Sequence, residues 1–313
     1  MDFTLPERQQ AVAALAAEVL AADDPWKELA RAGLLDVSPR DGLGVLDVAV
    51  LLTEIGRRAP SMKALATLMT GALPLSRWGY PLPAVASGEL LLTAALREPS
   101  EPPATTMTDG KLTGLKIGVL YAAEAHRILV PASSGVALLD PGAEGVDLTR
   151  TPSSTGEPEY ALRMDEAPAE AILGGAGCLR DLYQLAAAGA CALADGAVAG
   201  ALALTRDHVA RREQFGRPLA AFQAVSQQIA DVYIASRTMH LATLSACWRL
   251  GTGLDAAADL DVARYWCAGQ APRSVRICHH LHGGLGMDVT YPLHRFSSLV
   301  TDLVRFLGGA HVH

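Results

Sequence analysis

Residues 209–223 are Val-Ala-Arg-Arg-Glu-Gln-Phe-Gly-Arg-Pro-Leu-Ala-Ala-Phe-Gln, and this stretch decides how the rest of the chain is assembled. Upstream, 181–208 is Ala- and Leu-rich with helical periodicity. Gly216 is expected to stop that helix and Pro218 to open a new segment. Arg211, Arg212 and Arg217 then cluster beside a turn. Guanidinium forks keep their charge at any pH and hold several donors in one plane, which suits a pyrophosphate. A solvated basic helix end, favoured by the macrodipole in any protein, is the plainer alternative.

The chain has 313 residues, half of them hydrophobic, so it can bury a sizeable core. Twenty-six Lys and Arg against 33 Asp and Glu give a net charge of −7, with no block of like charge. That balance argues against nucleic acid or an anionic membrane as partner and favours small molecules or proteins. Cys178, Cys191, Cys247, Cys267 and Cys278 form no CxxC pair and sit in apolar surroundings, as buried free thiols in a reducing compartment do. The start, Met-Asp-Phe-Thr-Leu-Pro-Glu-Arg, lacks a basic region followed by an apolar one, so no secretory signal is expected and the cytoplasm is the expected location. The apolar run 185–205 is dominated by Ala and Gly and broken by Asp195; a close-packed core helix is expected there and no membrane span.

Helical runs are expected at 7–22, 25–34, 45–58, 60–70 and 72–79, with breaks at Asp23-Asp24-Pro25, Pro39-Arg40-Asp41-Gly42 and Pro81-Leu82-Pro83. From about 90 to 175 the pattern becomes short β-like runs: Leu90–Leu96, Lys111–Val119, Arg127–Val130, Val136–Leu139 and Tyr160–Met164. Pro99, Pro102, Pro103 and 150–158 are expected in exposed loops. Three long helical stretches follow over 178–270, then a Gly-rich turn at 283–286 and an amphipathic run at 292–307. The predicted class is therefore multidomain α+β, divided as 1–90 helical, 91–177 β and 178–313 helical, with a cleft where the parts meet.

Residues 278–288, Cys-His-His-Leu-His-Gly-Gly-Leu-Gly-Met-Asp, place imidazoles before closely spaced glycines. A metal site on His279, His280 and His282 is disfavoured, because adjacent helical histidines diverge and no HExxH or carboxylate partner follows. An oxyanion loop would need a GxSxG nucleophile elbow, which this chain lacks. A turn lying against a dinucleotide and a simple helix-ending turn both remain open.

Taken together, Arg-x-Gln-Phe-Gly-x-Pro-Leu-x-x-Phe-Gln at 212–223 and His-x-His-Gly-Gly-x-Gly-Met…Tyr-Pro at 280–292 resemble the flavin-dependent acyl-CoA dehydrogenase family. The resemblance extends over most of the chain, more loosely in its N-terminal half. It implies an N-terminal helical domain, a middle β domain, a C-terminal four-helix bundle and FAD at a subunit interface. Carried over by position, Arg212, Gln214 and Phe215, with His280, Gly283 and Gly284, would reach the pyrophosphate and adenine end of a neighbouring subunit's FAD. His280 stands where the family more often has Gln.

The resemblance also implies a carboxylate that removes the α-proton of an acyl-CoA thioester while hydride goes to the flavin. Its usual place, sixteen residues after the Tyr of the Tyr-Pro pair, is Leu307 here, followed by Gly308 and Gly309 with no Thr. The alternative place, 25 residues before the motif Arg, is Ala187. No catalytic residue is therefore assigned. The flavin-facing segments differ as well: Thr-Glu-Pro becomes Arg97-Glu98-Pro99, and Gly-x-Lys-x-Trp-Ile-Thr becomes Gly114-Leu-Lys-Ile-Gly118-Val-Leu120. Glu98 and Asp302 are the nearest replacement carboxylates.

This pattern resembles the shorter, degenerate subunit of the heteromeric acyl-CoA dehydrogenases with which actinobacteria degrade steroid side chains of the cholesterol type. Val232-Tyr-Ile-Ala-Ser-Arg-Thr and 279–292 carry that likeness. It implies an α2β2 assembly with a homologous catalytic subunit, a shared FAD, an acyl-CoA substrate and an acceptor such as an electron-transfer flavoprotein. An active homo-oligomer with a relocated base and a flavin-free scaffold are the competing readings.

Overall fold

The computed structural model describes residues 3–58, 61–80, 82–99 and 104–308. The expectations at Pro60, Pro81, Pro102, Pro103 and Gly309 lie outside these residues. The chain opens with α1 (Glu7–Val19), α2 (Pro25–Arg31) and α3 (Val45–Arg58). The side chain of Asp24 accepts from Lys27 N at 3.3 Å and Pro25 occupies the first position of α2, where its missing N–H costs nothing. In place of two helical runs broken near residue 71, the chain turns continuously through a wide π-type stretch, Leu65–Ala72, into α4 (Leu73–Arg77).

Two four-stranded sheets follow. One has the order β1 (Leu92–Ala94), β4 (Arg127–Ala132), β5 (Gly135–Leu139) and β8 (Ala171–Ile172); the other has β2 (Thr106–Thr108), β3 (Lys111–Leu120), β7 (Glu159–Pro168) and β6 (Val146–Thr151). Among the described residues, only β1 with β4 is parallel. The inward faces share a core of Leu112, Val119, Ile128, Val130, Leu139 and Leu162. Three of these strands, β2, β6 and β8, had no signal among the expected runs.

The C-terminal part is a four-helix bundle of α5 (Ala176–Arg211), α6 (Gln223–Gly251), α7 (Ala257–His282) and α8 (Leu293–Phe306). α7 runs through Pro272 to His282, past the expected end near 270. At 36 residues α5 is about 54 Å long. It is the one helix among the described residues apolar and long enough to cross a membrane, and 89% of its apolar window is buried inside the fold. Its small residues have a steric purpose. A Cβ on Gly196 would lie 2.0 Å from Thr53 O, and one on Gly56 would lie 2.2 Å from Leu193 O, so α3 and α5 meet backbone to backbone. The resulting core joins the N-terminal helices to the bundle. All five cysteines are free; four are buried and Cys178 is half-buried.

Candidate functional site

α5 ends at Arg211, five residues before the Gly216 expected to stop it. Arg212 is already extended, at φ −73° and ψ 117°. The chain then forms a hairpin in which β9 (Glu213–Gln214) pairs with β10 (Arg217–Pro218). Phe215 and Gly216 make its two-residue loop with φ +55° and +78°, the mirror-image turn that matches strand twist. A phenylalanine in this region is strained by about 1 kcal/mol or more. Its side chain is 90% exposed, with an edge contact to Phe222 at 6.1 Å between centroids. The Arg217 guanidinium lies 4.1 Å from the centre of the Phe222 ring, which braces the hairpin base. Arg211, Arg212, Gln214 and Phe215 are all exposed.

The second motif lies beside the first. His208, in the last turn of α5, stacks on His282 with centroids 4.4 Å apart, and His282 immediately precedes Gly283. Both imidazoles lie below the ordinary His value. For His208 burial is the main cause and Arg212 adds to it; for His282 burial again leads, reinforced by His208 and His279 and opposed by the hydrogen bond to Cys278 O. His282 Nδ1 bonds Cys278 O at 2.8 Å and Nε2 meets Tyr291 Oη at 3.0 Å. His279 Nδ1 bonds Gly286 O at 2.9 Å and Nε2 meets Ser297 Oγ at 3.0 Å. These two histidines therefore hold the glycine turn in place, while His280 faces solvent. No group of three metal-ligating side chains occurs among the described residues. Gly283 has φ +57° and ψ −133°, a conformation left to glycine, and a Cβ on Gly283 or Gly284 would meet open space. Gly286 is tight instead: its Cβ would lie 2.9 Å from His279 O. The two motifs thus form one exposed edge, joined by a His208–His282 contact that their separate spacings do not reveal.

A different arrangement fills the segments expected to face the flavin. Gly118 sits at φ +66° in an irregular part of β3, beside Ile117 N, which donates to Arg97 O at 2.9 Å. A Cβ on Gly118 would come 3.1 Å from Arg97 Nη1, so that guanidinium lies where a larger side chain would stand. Arg305 Nη2 binds Glu159 at 2.6 Å and Asp302 at 3.0 Å. Burial, with a smaller push from Asp302, raises Glu159 despite Arg305 and Arg97; burial and Arg305 lower Arg97 despite Glu159. Asp302 also accepts from Ser154 N, Thr155 N and Thr155 Oγ1, each at 2.9 Å, and so fixes the 153–155 loop to α8. Glu98 meets Lys116 Nζ at 2.5 Å and accepts from Ala104 N and Thr105 N. Burial alone would raise its carboxyl, but hydrogen bonds from Lys116, Thr105 and Ala104 hold it below the ordinary range. Neither carboxylate suggested as a replacement base is free. Leu307 and Ala187, at the two expected base positions, are both buried apolar residues.

This fold, helices then two small sheets then a four-helix bundle, is that of the acyl-CoA dehydrogenases. The chain belongs to that family: residues 175–310 match the model described as acyl-CoA dehydrogenase, C-terminal domain, and the whole chain has full-length relatives within it. It is 47% identical to acyl-CoA dehydrogenase FadE28 of Mycobacterium tuberculosis, over 99% of this chain and 96% of that one. Among solved structures it resembles the Tcur3481-Tcur3483 steroid ACAD variant, with TM-score 0.91 and 32% identity over 97% of this chain and 94% of that one. It also resembles the ChsE4-ChsE5 complex of Mycobacterium tuberculosis, with TM-score 0.90 and 28% identity over 99% of this chain and 96% of that one.

Proposed function

We propose that this chain is the non-catalytic partner subunit of a heteromeric, FAD-dependent acyl-CoA dehydrogenase, an α2β2 assembly that α,β-dehydrogenates a steroid side-chain acyl-CoA in the cytoplasm. The observation that carries this reading is an asymmetry. The edge formed by Arg212, Gln214, Phe215, His280, Gly283 and Gly284 is exposed and pre-shaped, while the other half of a flavin site is filled by Arg97, Glu159 and Arg305. The residues of this edge have the chemistry to hold the pyrophosphate and adenine end of FAD, and Arg97 stands where a side chain at Gly118 would otherwise lie.

When bound, the flavin supplies the hydride acceptor. Arg212 offsets phosphate charge with a cation that never deprotonates. Phe215 offers an apolar face, and Gln214 and His280 offer hydrogen bonds. Gly283 and Gly284 let backbone N–H groups approach a ligand without a Cβ between them. The α-proton must be taken by a carboxylate of the homologous subunit, because Leu307 and Ala187 have no basic atom and Glu98 and Asp302 are already committed. Electrons would leave to an acceptor such as an electron-transfer flavoprotein. The divisions 1–90, 91–177 and 178–313 serve as the working domain boundaries of this subunit.

The test is to express the chain alone and together with the acyl-CoA dehydrogenase encoded beside it, then measure bound FAD and thioester dehydrogenation. Flavin and activity are expected only in the complex; a fully flavinylated, active chain by itself overturns the proposal. In the complex, Arg212→Ala should lower FAD affinity by about tenfold or more, the size of a lost charge-assisted contact. Unchanged flavin content would favour the flavin-free scaffold.

A further inference from the structure

Between α5 and α6, on the side that faces α3, lies a groove of about 540 Å³ that the flavin edge does not use. Its cationic lining is Arg57, Arg206 and Arg237, joined by the imidazole of His240, with Asp195 as its only acid. In a chain of net charge −7 such a concentration of cations runs against the overall balance and makes the groove a local anion attractor. Arg206 is paired with its neighbour Asp207 on the surface. Arg57 is held only loosely, its Nε 3.7 Å from Glu54 Oε1 and without a hydrogen bond although buried. Arg237 has neither ion pair nor hydrogen bond among the described residues.

Asp195 gives the groove its second feature. Its carboxylate is 3% exposed in the middle of an apolar helix and meets His240 Nδ1 at 2.8 Å. A buried carboxylate is costly unless paired, and this pairing makes Nδ1 the hydrogen-bearing nitrogen. Among the described residues Nε2 is the ring atom of His240 without a partner, in a residue that lines the groove. The remaining wall is apolar, built chiefly by Leu202, Ile229 and Tyr233. The volume lies within the range of sites that hold drug-sized ligands.

We propose that this groove is a second ligand site, separate from the flavin edge, and that it takes an anionic amphiphile. The apolar body lies along Leu202, Ile229 and Tyr233, and the carboxylate head is held by Arg237 and Arg57, with His240 Nε2 able to donate to it only when the ring carries its second proton. Asp195 is a positioning residue that fixes the His240 ring. A straight-chain and a ring-bodied carboxylate share this chemistry, and the probes below separate them.

Titration calorimetry on the full chain, alone and with its partner subunit, tests the assignment with three probes: decanoate and cholate below their micelle concentrations, and inorganic phosphate. One of the two amphiphiles should bind once per chain and at least about tenfold more tightly than phosphate; which one binds identifies the body. Arg237→Glu should weaken that binding by about tenfold or more, since it replaces a donor by a repelling charge. Asp195→Asn should weaken it and shift its pH dependence, whereas a purely structural Asp195 would leave the pH dependence unchanged. Because Arg237 is exposed, its variant should fold normally, as the circular dichroism spectrum will report. Equal binding of phosphate and amphiphiles overturns the proposal, as does binding indifferent to Arg237→Glu. Binding by the isolated chain that disappears in the complex also overturns it, because the groove would then be a subunit contact. FAD content should be unchanged in Arg237→Glu, so a failure of the flavin reading and a failure of this one give different results.

Discussion

Single residues carry both halves of the asymmetry. Phe215 makes few contacts with its own chain, so Phe215→Ala should leave the melting temperature of the isolated chain within about 2 °C of the parent. The same variant should cost the complex FAD, measured by flavin absorbance; unchanged flavin would mean the ring serves no ligand. Arg305 behaves oppositely. Arg305→Ala removes the cation that binds both Glu159 and Asp302 directly and should destabilise by about 1–3 kcal/mol, read by urea unfolding. The His208–His282 stack adds a pH dependence. Both groups lie below the unfolded value of 6.5, so at falling pH the unfolded chain binds protons first. Their contribution to stability is therefore present above about pH 6.5 and lost as pH falls from there toward the folded values. His208→Phe keeps a stacking ring and removes one titrating group, and its melting temperature should fall less between pH 7 and pH 5.

At the level of elements, the α3–α5 contact is the point where one methyl group matters most. Gly196→Ala drives a Cβ into Thr53 O and should cost about 1–3 kcal/mol by overpacking, even though Ala is the better helix former. A neutral result in thermal unfolding would contradict the backbone-to-backbone approach. The long helices were legible in the sequence because Ala and Leu periodicity over dozens of residues leaves little alternative. The strands were only partly so: β6, Val-Asp-Leu-Thr-Arg-Thr, alternates between half-buried and exposed positions without a strong apolar face, and β2 is three residues of Thr and Met. The hairpin after α5 is not legible in the sequence because Phe215 takes a positive φ that sequence rules reserve for Gly, Asn or Asp, which leaves Gly216 to read as a helix stop alone. The motif residues themselves were readable. Their union through His208 and His282, and the Arg97–Glu159–Arg305 cluster drawn from α8 and two separate β segments, were not, since no fixed spacing along the chain encodes them.

The whole molecule presents large apolar side chains that its own fold leaves bare. Ile234, Val262 and Tyr265 project from α6 and α7, and Leu285, Met287 and Val289 project from the glycine turn and the residues after it. Exposed aromatic and aliphatic side chains of this kind are what a subunit contact would cover. The isolated chain should therefore sediment as a concentration-dependent mixture, and co-expression with the proposed partner subunit should give a single species; a well-behaved monomer at high concentration would argue against a subunit role. The hairpin also has a kinetic consequence. Its strained two-residue loop and the Arg217–Phe222 brace fix its shape before any ligand or partner arrives, so little ordering entropy is lost on docking. Assembly should then be governed by diffusive encounter, with a single-phase rate that slows as added salt screens Arg211, Arg212 and Arg217.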